Sequence, residues 1–232
     1  ASSGIGRSTC QVLAREGAKV VVTCIDEFNA HETLKMLPGS NHSIYKYDVT
    51  DIQSAQELLK TIVQKYNRPP DILVNCAGMV NNISFLDETP ESFQSVMDVN
   101  FKGTFFTCQA VCRELVAAQL PGAVVNVSSV MVPWGCPVMG PYAASKGAVE
   151  AFTKCLAKEM NQYNIRVNSI QPGLIDTQMA AGVSKQVLES WLSKVATKRK
   201  GLPQEVAELI TFLVSDRASS VNSSNLPISG GF

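Results

Sequence analysis

Short apolar runs rich in Val and Ile alternate along the chain with longer stretches in which apolar residues recur every three or four positions. The runs predict strands over 18–24, 42–45, 71–75, 122–127, 165–171 and 225–228, and the periodic stretches predict helices over 6–16, 28–37, 52–66, 91–119, 142–163 and 203–215. Such alternation is the pattern of β-α-β units around a parallel sheet, an α/β fold. Runs such as Val20-Val21-Val22 and Ile72-Leu73-Val74 predict burial on both faces, hence a doubly wound, Rossmann-type sheet. Ligands of such sheets sit at the carboxyl ends of the strands, which directs attention to the residues just after each run. The stretch 178–200 carries Met179, Val187, Trp191, Leu192 and Val195 and ends in Lys198-Arg199-Lys200. It reads equally as a lid over a pocket or as a pair of surface helices.

Composition narrows the classes. The 232 residues are 45% hydrophobic and 17% charged, which suits a single domain over 1–232 with a large core. Twenty basic and twenty acidic residues cancel, and the aromatics are not interleaved with Lys or Arg, so neither nucleic acid nor a membrane surface is an expected partner. A small-molecule substrate and further copies of the chain are. Seven scattered cysteines without C-x-x-C spacing, and only two histidines, predict buried thiols in a reducing compartment and no metal site. The expected location is the cytoplasm or the mitochondrial matrix. Because Ala1 to Gly6 reads as the middle of a motif, the expectation is that a first strand, and any targeting segment, lies upstream of the chain as written.

Chemistry concentrates at the strand ends. Ser3-Gly4-Ile5-Gly6 at a helix start would let backbone N–H groups approach a pyrophosphate, although two glycines before a helix are also an ordinary turn. Asp48-Val49 and Asn75-Cys76-Ala77-Gly78 follow two of the runs and offer polar or small residues where an adenine and ribose could rest, or turn residues used for their geometry. Asn126-Val127-Ser128-Ser129, a loop, and then Tyr142-Ala143-Ala144-Ser145-Lys146 form the most specific segment. Residues four apart on a helix share a face, so the Lys146 ammonium can lie beside the Tyr142 phenol and favour phenolate. Tyr142 then exchanges a proton near neutral pH, with Ser129 hydrogen-bonded to the same substrate oxygen. Asn100 and Gly103, both poor interior helix formers, interrupt the long 91–119 helix, so something other than propensity holds them there.

These residues, in this order, resemble the short-chain dehydrogenase/reductase family over essentially the whole chain. The resemblance includes Pro172-Gly173-Leu174-Ile175-Asp176-Thr177. It implies hydride transfer between a nicotinamide and a substrate carbon, with Asn100, Ser129, Tyr142 and Lys146 as the catalytic quartet. Tyr142 is the acid or base and Ser129 orients the oxygen. Lys146 also holds the nicotinamide ribose, and Asn100 holds a relay water. The cofactor residues implied are Ser3, Ile5, Asp26, Asp48, Val49, Asn75, Ala77, Gly78, Tyr142, Lys146, Pro172, Gly173, Ile175 and Thr177, the last two at the carboxamide.

Three departures stand out. The family's first strand and its Thr-Gly would precede Ala1, and a sheet made from this chain alone lacks a central strand. The cofactor-selecting positions Ser3, Cys24 and Ile25 carry neither the acid of NAD-users nor the base of NADP-users, so either NAD or NADP is possible, with Asp26 tilting the expectation to NAD. Asn222-Ser223 replaces the usual Thr-Gly before the last strand, in a region that supports subunit contacts, although a homo-oligomer, tetramer or dimer, is still expected. Met131, Trp134, Met139 and Met179, with Ser129 and Tyr142, are the expected substrate residues, suited to a 3-oxoacyl chain, a steroid or another hydrophobic carbonyl compound. They serve equally as core or subunit contacts. The rival reading is a catalytically silent relative acting as a binding or scaffold subunit.

Overall fold

The computed structural model describes residues 1–232. The strands are β1 Val21–Cys24, β2 Ser43–Lys46, β3 Ile72–Asn75, β4 Gly122–Val127, β5 Ile165–Pro172 and β6 Asn225–Ile228. The helices are α1 Gly4–Arg15, α2 Glu27–Lys35, α3 Ile52–Tyr66, α4 Pro90–Met97, α5 Gly103–Ala117, the single turn α6 Met131–Trp134, α7 Gly140–Met160, the single turn α8 Gln178–Ala181, α9 Lys185–Lys194 and α10 Pro203–Val214. Helix and strand alternate as the sequence pattern predicts. The β1–β2, β3–β4 and β4–β5 pairs are all parallel. The strands fall into two sheets, β1-β2 and β3-β4-β5-β6.

The chain packs as two compact units. One comprises Ala1–Asp48, Pro172–Phe212 and Pro227–Phe232, the other Val49–Gln171 and Leu213–Leu226. In the first, Cys10 and Ala14 of α1 pack with Val22 and Cys24 of β1 and Ala30 of α2. In the second, Leu115, Val124, Val125, Val149, Ile165, Val167 and Ile170 are almost wholly inaccessible. Full burial of β3 is not what the structure shows: Ile72, Leu73 and Val74 are half-buried, because β3 is the outermost strand of its sheet.

Side-chain caps set several helix starts. Asp51 accepts from the backbone N–H groups of Gln53 and Ser54 at the head of α3, and Thr89 accepts from Ser92 N–H where Pro90 opens α4. The continuous helix expected over 91–119 is broken by a π-helical turn, Asp98–Lys102, centred on Asn100. Gly103 ends that turn against Val49: a Cβ there would stand 2.8 Å from Val49 Cβ and 3.0 Å from its carbonyl oxygen. The segment 178–200 forms α8 and α9, neither of which buries a residue. Its base is closed by the Ile175–Gly201 bridge and by Ala196 and Thr197 N–H donating to the carbonyls of Gly231 and Gly230.

Gly103→Ala should destabilise the protein by about 1–3 kcal/mol, because overpacking against Val49 outweighs alanine's helix propensity of roughly 1 kcal/mol. Urea unfolding checks it; a midpoint equal to or above that of the unaltered protein would contradict the close approach.

Candidate active site

Within the second unit, β4 and α7 assemble the catalytic candidates. Ser128 and Ser129 follow the last residue of β4 and are 2% and 6% exposed, and Lys146 on α7 is 4% exposed. The Lys146 ammonium donates to the Val127 carbonyl oxygen at 2.8 Å and lies 5.9 Å from the centroid of the Tyr142 ring. Burial pulls its pKa down from 10.5 to about 8, with Cys76 pulling the other way. Tyr142 departs from the expectation that Lys146 would favour phenolate. Burial raises the phenol above its ordinary value, and the opposing effect is a hydrogen bond with the Ser129 side chain. The tyrosine is therefore held protonated, while the lysine carries its charge only below about pH 8.

Asn100, 0% exposed, explains the π-helical turn. Its Oδ1 accepts from Met79 N–H at 2.8 Å, and its Nδ2 donates to the Met79 carbonyl at 2.9 Å and to Ser145 Oγ at 3.0 Å. Ser145 Oγ in turn donates to the Tyr142 carbonyl at 2.7 Å. Asn100 thus clamps the segment after β3 onto α7, and both of its amide protons are committed to that clamp. Gly78 completes it: a Cβ there would meet Lys146 Nζ at 3.3 Å and Asn100 Oδ1 at 3.5 Å. Sequence reasoning did not anticipate Ser145 in this role; the signal was a hydroxyl on the same helical face as the interrupted segment's partner.

Asn75 faces the core. Its Nδ2 donates to Asn126 Oδ1 at 2.9 Å and to Cys108 Sγ at 3.2 Å, while Asn126 Nδ2 donates to Thr153 Oγ1 at 2.9 Å. Burial raises the Cys108 thiol far above the ordinary thiol range, so it is a packing group in this network. Ala77 is exposed and Val49 half-buried. Of the expected substrate residues in this unit, Met131 is 9% exposed, its N–H donating to Ser129 Oγ at 3.2 Å, Met139 is half-buried and Trp134 is 48% exposed. A cavity of about 590 Å³ lies away from them, between α5 and α7, lined by Phe105, Cys112, Val116, Phe152, Leu156 and Tyr163.

The first unit holds Ser3, Ile5, Asp26, Asp48, Pro172, Gly173, Ile175, Thr177 and Met179. Ser3 precedes α1 without capping it through its side chain, whereas Asp26, Asp51, Thr89 and Ser184 cap α2, α3, α4 and α9. With no acidic residue in the first turn of α1, its leading N–H groups have no side-chain acceptor. Gly4, at φ +51°, packs against Thr177, whose Cγ2 would be 3.1 Å from a Cβ. Gly173 approaches the Ser229 backbone so closely that a Cβ would stand 2.7 Å from Ser229 Cα. The N–H groups at the start of α1 fit an anionic dinucleotide, while the two glycines are required by close packing against Thr177 and Ser229. Asp26 is fully exposed and accepts from Asn29 N–H and Nδ2, which hold its carboxyl below the usual range. Asp48 and Met179 are exposed.

The basic run does not form a free patch. Lys198 donates to the Ser193 carbonyl, Arg199 pairs with Glu205, and Lys200 pairs with Asp176.

A family model described as enoyl-(acyl carrier protein) reductase matches residues 1–232. The 3-oxoacyl-(acyl-carrier-protein) reductase FabG of Thermotoga maritima is 39% identical over 233 residues, covering 100% of this chain and 94% of its own. The (3R)-3-hydroxyacyl-CoA dehydrogenase of Homo sapiens is 33% identical over 240 residues, covering 100% and 92%. A crystal structure of a substituted actinorhodin polyketide ketoreductase with NADPH superposes with a TM-score of 0.93 at 30% identity, covering 99% of this chain and 93% of that one.

Lys146 also makes stability depend on pH. Between about pH 8 and 10.5 the unfolded chain holds a proton that the folded one has lost, so this group makes stability rise with pH across that window and contributes no slope well below it. A Lys146→Met variant should lack that rise in chemical unfolding measured from pH 7 to pH 10. Identical slopes in both proteins would show that the ammonium is not desolvated.

Proposed function

The chain belongs to the short-chain dehydrogenase/reductase family of NAD(P)-dependent oxidoreductases, and from that premise we propose that it reduces the keto group of a hydrophobic 3-oxoacyl compound, using Tyr142 as the proton donor. The observation that carries the reading is the Ser129–Tyr142 pair, with the phenol held protonated beside a buried Lys146. A carbonyl oxygen that accepts from both hydroxyls gains a proton from Tyr142 as negative charge develops on it, while Ser129 keeps it in register. Lys146 acts as the cation that stabilises the phenolate left behind and holds the cofactor ribose. Asn100 keeps Lys146 and α7 in place and lines the relay route to solvent.

When bound, the nicotinamide supplies the hydride. The residues proposed to hold it are Ser3, Ile5, Asp26, Asp48, Val49, Asn75, Ala77, Gly78, Tyr142, Lys146, Pro172, Gly173, Ile175 and Thr177. Asn75 acts through its backbone, since its side chain is spent in the core. Asp26 retains its charge at the end of β1, which opposes an added phosphate and supports NAD. Met131, Trp134, Met139 and Met179 are the proposed substrate residues, and the acyl class is supported by the activities of relatives that span nearly the whole chain.

Tyr142→Phe should bind NADH or NADPH as the unaltered protein does, by fluorescence titration, and lose at least about a thousandfold in the rate of acetoacetyl-CoA reduction. Near-normal turnover would remove the acid role, and failure of the unaltered protein to bind either nucleotide would favour the silent-subunit reading. Comparing the two nucleotides in the same titration tests the NAD preference.

The proposed assembly is a homo-oligomer through the α5–α7 face, where the apolar groove carries Arg113 at one helix and Glu159 at the other, opposite charges that a twofold pairing brings together. Phe152→Glu should convert the oligomer to monomer in light scattering. A monomeric unaltered protein would refute the assembly.

A further inference from the structure

The proposed reaction leaves the buried Glu150 carboxylate without a task. Glu150 lies four residues beyond Lys146 on α7, hence on the same helical face, and is only 8% exposed. Its carboxylate is held by three neutral donors: Oε1 accepts from Ser128 Oγ at 2.6 Å and Gln171 Nε2 at 2.8 Å, and Oε2 accepts from Asn225 Nδ2 at 3.1 Å. Asn225 Oδ1 accepts from Ser169 Oγ at 2.6 Å. An apolar side chain would fill this space without the cost of desolvating a charge. What the carboxylate adds is geometry.

Its donors come from three successive strands. Ser128 follows β4, Gln171 lies near the end of β5, and Asn225 starts β6. Ser128 is fixed from every side, since its N–H donates to the Ile170 carbonyl at 2.8 Å and its hydroxyl also stands 3.2 Å from the Lys146 carbonyl. Ser129 is the next residue. The separation of the Ser129 and Tyr142 hydroxyls is set by whatever fastens the end of β4 to α7. Asn126 to Thr153 is one such tie, Lys146 Nζ to the Val127 carbonyl is a second, and Ser128 to Glu150 is a third, made by the residue next to Ser129. Hydrogen bonds to a carboxylate are shorter and stronger than neutral ones, which suits a strut.

We propose that Glu150 is a positioning residue that, through Ser128, sets the distance between the Ser129 hydroxyl and the Tyr142 phenol for the transfer of a proton to the substrate oxygen. The inference rests on the reading of Ser129 and Tyr142 given above. Glu150 touches neither substrate nor cofactor. Replacing one carboxylate oxygen with an amide nitrogen turns an acceptor into a donor facing donors, so the strut loosens while the side chain keeps its volume.

The test is a double-mutant cycle on acetoacetyl-CoA reduction with Glu150→Gln, Ser128→Ala and the pair, with thermal unfolding and nucleotide titration of each protein. Glu150→Gln and Ser128→Ala should each lower kcat about tenfold, a modest fraction of what misplacement by an ångström can cost, with nucleotide affinity within about twofold. The pair should be no worse than the more affected single variant, because both cut the same strut. Additive losses in the pair, or a Glu150→Gln kcat within about twofold of the unaltered protein's, would overturn the proposal. So would losses that follow only the folded fraction. Should Glu150→Gln fail to fold, Ser128→Ala decides alone: it leaves Gln171 and Asn225 on the carboxylate, and an unchanged kcat rejects the strut. Absence of Tyr142-dependent turnover in the unaltered protein removes the underlying reading, and that is seen before any variant is compared.

Discussion

The attachment of α7 to the end of β4 places a lysine ammonium, on a residue 4% exposed, with a main-chain carbonyl, Val127, 2.8 Å away. Desolvation of that ammonium is the largest electrostatic cost visible around the site, as the fall of its pKa to about 8 records. The surrounding polar groups make sense as the structure that supports it. Asn126, Ser128, Ser145 and Glu150 are all buried, and each spends its hydrogen bonds on joining β4, α7 or the segment after β3. Buried polar groups are tolerated only when satisfied, and satisfying them fixes geometry.

The same constraint explains the break in the long helix. A regular α-helix through 91–119 would carry Asn100 in the ordinary ladder, and no propensity argument recommends Asn or Gly there. The π-helical turn adds the offset that lets the Asn100 amide close on Met79 and Ser145, and Gly103 lets α5 resume within contact distance of Val49. Local irregularity is the consequence of a long-range bond.

That distinction marks what could be read from residues alone. Period and turn residues locate strands and helices to within a few positions, because both depend on near neighbours. Asn100 and Gly103 were legible as anomalies, yet their partners were not, since Ser145 is forty-five residues away. The direction of the Tyr142 shift was missed for a related reason: four-residue spacing says that Lys146 shares its face, but not that the ammonium turns to Val127 or that burial dominates the phenol. Asp26 reads as a ribose ligand and is found capping α2, a role that Asp before a helix always competes for. Glu150 sits in Val149-Glu150-Ala151 and reads as an ordinary helix charge; only the ends of β5 and β6 reveal it as buried.

The site's protonation at rest also bears on direction. A phenol raised above its ordinary value gives up a proton only when something downstream offers better stabilisation of the resulting charge, and the adjacent cation that offers it is present below about pH 8. Oxidation of an alcohol needs the opposite start, with the phenol already deprotonated. Burial of Tyr142 and Lys146 together leaves the phenol protonated at rest, and a rise in pH through about 8 removes the lysine charge that would stabilise its phenolate.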